Sequence, residues 1–131
     1  MEDNIFTKIV RGEIPCHKVY EDDLTLAFLD IHPIQPGHTL VISKKQVEFV
    51  WDLPDEDYQA VMATAKKVAN RLREAFPDKS RVALQIEGLE VAHAHLKLFP
   101  FNSAEEFHNK PDLQGEPDHV ALAAIAKTLA F

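Results

Sequence analysis

Hydrophobic positions along this chain change period several times, and each change marks an element. Between Asp55 and Phe76 the apolar residues Tyr58, Val61, Met62, Ala65, Val68, Ala69, Leu72 and Phe76 recur at three and four. Lys66, Lys67, Asn70, Arg71, Arg73 and Glu74 fill the opposite side, so the segment predicts one long amphipathic helix whose stripe is core packing. Asp52 or its neighbour is expected to cap it, with Pro54 in the first turn. A shorter helix is expected after Asn4, burying Ile5, Phe6, Ile9 and Val10 and ended by Gly12 and Pro15. Strand patterns cover 17–21 and 25–30 around an Asp22-Asp23 turn, then 39–43, 81–86 and 91–99. After an irregular stretch over 102–115, residues 118–131 read as a final helix. Its stripe of Leu122, Ile125, Ala126 and Leu129 suits docking on the body or on a partner subunit.

Five strands in hairpin-like succession, interrupted by one long helix, predict an α+β fold with an antiparallel sheet covered on one face. The 131 residues suffice for one domain with a core of its own. Within it, 1–100 is expected to be the domain proper and 101–131 a C-terminal extension packed on it.

The strand pattern over 91–99 also carries the chemistry. A period of two sends His93, His95 and Lys97 to one face, and Ala92, Ala94, Leu96 and Leu98 to the other. An unpaired row of imidazoles and an ammonium is costly in a packed core and suits an anion such as a phosphate. One His-x-His strand is weakly specific by itself. Its weight comes from Asp30-Ile31-His32-Pro33-Ile34-Gln35-Pro36-Gly37-His38, a turn that brings another histidine to the mouth of the third strand.

Charge narrows the partners. A net charge of −7 argues against broad nucleic-acid binding, which needs many phosphate-neutralising cations. Cys16 is the sole cysteine, which excludes an intramolecular disulfide and fits a reducing compartment. No apolar run approaches ~18 residues and no signal-peptide pattern is present, so a cytoplasmic location without membrane association is expected.

Taken together, the segments Ile5 to Asp23, Asp30 to Lys45 and Gly88 to Pro100 resemble the histidine triad (HIT) family, bacterial type, over about Asn4 to Phe99. The family signature is His-φ-His-φ-His-φ-φ, and here Lys97 occupies the third histidine position. The resemblance implies a HIT-like fold and a homodimer. It also implies nucleotidyl transfer to water: a histidine displaces a group from the α-phosphorus of a nucleoside 5′-phosphoramidate or related conjugate, and the nucleotidyl-histidine is then hydrolysed. By this resemblance His95 is the nucleophile, His93 supports the site, and His38 sets the tautomer and orientation of the nucleophile. Lys97 stands where a histidine would serve the phosphate and the leaving group. Lysine can neutralise a phosphate oxygen but is a poorer proton shuttle near neutrality.

The same resemblance assigns Asp30 to the ribose hydroxyls and Ile5, Phe6, Ile9, Phe28 and Ile31 to the wall around a purine of the bound nucleoside monophosphate or conjugate. Glu90, beside the phosphate position, is expected to point away or to pair with Lys97. His17, His32, His108 and His119 are read as surface or structural. Family members that hold a structural zinc use an N-terminal Cys-x-x-Cys. Here that stretch is Asn4-Ile5-Phe6-Thr7 and Gln46 replaces a histidine ligand, so no zinc and no other cofactor are expected. A cupin-like metal enzyme, the rival for a His-x-His strand, conflicts with the long helix and lacks a suitable third ligand. The alternative to a hydrolase is a nucleotide-binding sensor or interaction protein in which Lys97 limits turnover.

Overall fold

The structure, a computed structural model, describes residues 2–131. The elements run α1 (Ile5–Val10), β1 (Lys18–Glu21), β2 (Thr25–Leu29), β3 (Thr39–Ser43), α2 (Asp55–Ala75), β4 (Arg81–Gln85), β5 (His95–Phe101), α3 (Ala104–Phe107) and α4 (His119–Leu129). The strands form one antiparallel sheet in the order β1-β2-β3-β5-β4. The α+β architecture expected from the pattern is therefore the one observed.

Alternation sorts each central strand between two faces. Ala27, Leu29, Val41, Leu96 and Leu98 pack with Val61, Ala65, Val68 and Leu72 of α2 and with Leu122, Ala126 and Leu129 of α4. The opposite face, expected to lie open, is also covered. Phe6 of α1 packs there on Leu26, Phe28, Leu40 and Ile42. Because β2 and β3 are buried on both faces, their sequences are nearly continuous apolar runs.

Local details refine the boundaries. Asn4 caps α1 through a reciprocal pair with Thr7, its Oδ1 accepting from Thr7 N at 2.9 Å while Thr7 Oγ1 accepts from Asn4 N at 2.8 Å. The cap of α2 is Pro54 rather than Asp52, which belongs to a short 3-10 turn over Val50–Asp52. Asp55, Glu56 and Asp57 in the first turn then favour the helix dipole. The last strand starts at His95, not residue 91, and continues to Phe101. Residues ahead of it turn instead: Gly88 has φ of 70°, and His93 N donates to Val91 O at 2.9 Å.

The C-terminal helix docks on its own chain. Arg71 of α2 donates to the carbonyls of Leu129 and Thr128 at 3.0 and 2.7 Å, and Phe131 stacks on Tyr20 at 4.7 Å between centroids. Among the described residues no helix is long and apolar enough to cross a membrane.

Gly37 closes the turn before β3 with φ of 93°, and a Cβ there would stand 2.8 Å from Phe76 Cε2 and 3.1 Å from Leu72 Cδ2. Gly37→Ala should cost about 1–3 kcal/mol, because left-handed strain adds to the shift of the Phe76 ring. Chemical denaturation reads this directly. A midpoint equal to that of the parent protein would show the turn to be more permissive than its geometry implies.

Candidate functional site

The expected site residues converge on the α1 face of the sheet. His95 on β5 pairs with Ile42 of β3, and Lys97 pairs with Leu40, so these four side chains share one face. A cavity of about 550 Å³ opens there. Of the residues expected to bind or react, Ile5, Phe6, Ile9, Phe28, Asp30, Ile31, Glu90, His95 and Lys97 line it. His93 and His38 are buried behind it rather than in its wall.

The imidazoles are ordered by hydrogen bonds that fix their tautomers. His95 Nδ1 lies 2.6 Å from the carbonyl oxygen of His93. A carbonyl only accepts, so Nδ1 carries the proton and Nε2 keeps its lone pair. His93 Nε2 donates to Ser43 O at 2.6 Å, which leaves its Nδ1 to accept from Asn4 Nδ2 at 3.4 Å. The residue that caps α1 thus also steadies His93. Phe6 meets the rings of both His93 and His95 edge-on, at 5.8 and 5.1 Å. Burial lowers the pKa of each of these histidines, and the nearby Lys97 charge adds to the effect on His95.

His38 sits differently from the role expected of it. Its Nδ1 accepts from Ile34 N at 3.0 Å, and its Nε2 has no hydrogen-bond partner, with Asp30 Oδ2 the acidic neighbour at 3.8 Å. The bond that sets the His95 tautomer comes from the His93 carbonyl instead. His38 packs on Phe99 at 5.6 Å. Burial drives its pKa down to about 4, with Asp30 opposing and Lys97 assisting.

This depression has a sign for stability. The fold holds the neutral ring, so the contribution is complete above the ordinary histidine value near 6.5 and is lost as pH falls from there toward about 4. Its size is on the order of 3 kcal/mol. His93 and His95 act in the same direction. Urea unfolding at pH 7 and pH 4.5 should therefore show a marked loss of stability at the lower pH, smaller in His38→Asn. An equal pH dependence in that variant would assign the loss to other groups.

Lys97 does not reach out to solvent. Its Nζ donates to Glu87 Oε1 at 2.6 Å and to Glu90 Oε2 at 3.0 Å, and its side chain is 9% exposed. Burial works against the ammonium, but the two carboxylates outweigh it and hold Lys97 above the usual lysine range. The expected pairing with Glu90 is present, while Glu87 was not anticipated. Two glutamates flanking Gly88, ahead of a strand lysine, are the signal that could have found it.

Of the histidines read as surface or structural, His17, His32 and His119 line the cavity, together with Leu113 from the C-terminal segment. No local pattern joins His17 to His119 across 102 positions, so folding alone brings His17 Nε2 to 3.0 Å from His119 Nδ1. Among the described residues, no group of three or more His, Cys, Asp or Glu side chains is gathered to hold a metal ion.

The HIT domain model matches residues 11–103, most of the chain. The chain belongs to the HIT family. This HIT protein is 39% identical over 140 residues to Protein hit of Bacillus subtilis, covering 98% of its own length and 96% of that relative. It is 38% identical over 100 residues to an adenosine 5′-monophosphoramidase of Schizosaccharomyces pombe, covering 73% of its own length and 72% of that protein. Among solved structures, a Hit-like protein from Bartonella henselae superimposes with a TM-score of 0.82 at 31% identity, over 97% of this chain and 94% of that one.

Proposed function

We propose that this HIT protein is a hydrolase of nucleoside 5′-phosphoramidates or related nucleotidyl conjugates, with His95 as its nucleophile. The observation that carries the reading is the His95 ring: neutral, with Nδ1–H given to the His93 carbonyl and Nε2 left with its lone pair on a residue that lines a 550 Å³ cavity. The Schizosaccharomyces pombe relative, named for adenosine 5′-monophosphoramidase activity, supports the same chemistry.

In the first step His95 Nε2 forms a bond to the α-phosphorus as the bond to the leaving nitrogen breaks, and the leaving amine takes its proton from solvent. The imidazole becomes positive at this point, and the His93 carbonyl stabilises that charge through the Nδ1–H bond. In the second step water forms a P–O bond, the P–N bond to His95 breaks, and nucleoside monophosphate leaves. Asp30 would accept from the ribose hydroxyls, and Ile5, Phe6, Ile9, Phe28 and Ile31 would flank a purine. Lys97, freed from its carboxylates, would neutralise a non-bridging oxygen. A lysine is a weaker proton donor than an imidazole at neutral pH, which favours conjugates whose leaving group needs little protonation.

A second reading has its own observation. Glu87 and Glu90 already satisfy Lys97, so the phosphate position carries two carboxylates for one ammonium. On this reading the protein binds a nucleotide and turns it over slowly or not at all, as a sensor or interaction protein. In keeping with the family resemblance we further propose a homodimer and a cytoplasmic location. Incubation with adenosine 5′-phosphoramidate, scored for equal amounts of AMP and ammonia, decides between the readings. AMP binding without release would favour the second.

A further inference from the structure

We propose that His17 and His119 form a hydrogen-bonded contact for the nucleobase edge, so that the C-terminal segment supplies part of the base binding; this rests on the nucleotide reading above. Both residues line the cavity, and their rings lie 5.2 Å apart with a 31° tilt. His17 directly precedes β1, at the sheet edge, while His95 and Lys97 lie on β5. Three strand spacings, about 14 Å, separate them. An extended base–ribose–phosphate unit spans that distance with a contact at each end. Phe6, Phe28 and Ile31 supply apolar walls for a flat ring between these ends.

The bond between the two imidazoles gives the pair a defined chemistry. If His17 Nε2–H donates, then His17 Nδ1 is an acceptor and His119 Nε2 is a donor. If His119 Nδ1–H donates, the roles reverse. In either tautomer the pair presents one donor and one acceptor. Purine edges carry both types, and the reversible tautomer accommodates adenine and guanine alike.

The pair is held in place from the tail. Asp118 caps α4 by accepting from Ala121 N at 3.0 Å, and Leu122, Ala126 and Leu129 anchor the helix in the core. His32 Nε2 donates to Gly115 O at 3.0 Å, tying the preceding loop to the cavity rim.

Calorimetric titration with AMP, GMP and ribose 5-phosphate tests the proposal. In His119→Phe, which keeps a ring but has no nitrogen, AMP and GMP affinity should fall about 5- to 10-fold, the scale of one hydrogen bond. Ribose 5-phosphate affinity should not change. His119→Gln, which retains an amide near the Nε2 position, should recover most of the loss, and His17→Phe should behave like His119→Phe. Val120→Ala, at a position 84% exposed on the same helix, is the control and should match the parent protein. Unchanged AMP affinity in His119→Phe, or an equal fall for ribose 5-phosphate, would overturn the proposal and leave the nucleotide reading intact. No AMP or GMP binding by the parent protein would remove that reading and this proposal with it.

Discussion

His95→Ala is expected to lower AMP release from adenosine 5′-phosphoramidate by at least about 10³-fold while leaving AMP binding nearly unchanged. No neighbouring group replaces the lost nitrogen. The His93 ring is committed to Ser43 O through Nε2, and its Nδ1 faces Asn4. Lys97 keeps its proton between two carboxylates and so lacks the lone pair a nucleophile needs. Rapid alkaline quench with mass analysis adds a second readout, because the parent protein should carry a nucleotidyl adduct on His95, and its P–N bond survives alkali but not acid. Substantial release by His95→Ala would rule out the covalent route and point to direct attack by water.

Lys97→His is expected to raise the rate by about 10²-fold, the lower end of what general acid–base catalysis contributes. Lys97 sits at the position we read as the third of the triad, and its two ion pairs bind the proton more tightly than in a free lysine. An imidazole there can give up and recover a proton near neutrality. The same exchange removes the cation between Glu87 and Glu90, so the gain should lie in kcat more than in KM. Parallel assays with a phosphoramidate and with an adenylyl conjugate of a stronger acid separate the causes. A gain confined to the phosphoramidate would mark proton delivery as the limiting step. A loss with both substrates would show that lysine is the fitted group and that phosphate neutralisation dominates.

Much of the fold was legible because its signals are local and repeated. The stripe from Tyr58 to Phe76 gives helix α2 almost to the residue, since three- and four-residue spacing has no other regular solution. Strand β3 matches the expected 39–43 because a turn with Pro36 and Gly37 starts it. The start of the last strand was misread for a physical reason. Alternation of His93, Ala94 and His95 looks extended, but the His93 side chain gains a buried bond to Ser43 O and the backbone turns to reach it. Polar satisfaction outweighed the periodic pattern there.

Sequence alone determined the α+β class, the order along the chain of the five strands and of helices α1, α2 and α4, the α1 cap at Asn4, and the resemblance that names the family, but not the short helix α3, which lies in a stretch read as irregular. The elements and the cap depend on neighbours within a few positions, and the class and the resemblance follow from reading those local segments in succession. Only the tertiary structure decided which nitrogen of His95 is free, since its partner is a carbonyl whose direction the backbone turn sets. Tertiary contact also joined Lys97 to Glu87, buried His38 beside Asp30, and brought His17 to His119 across the chain. Such pairings depend on strand order and helix docking. Those are selected by burial of the two apolar faces together, a property of the assembled sheet that no single segment carries.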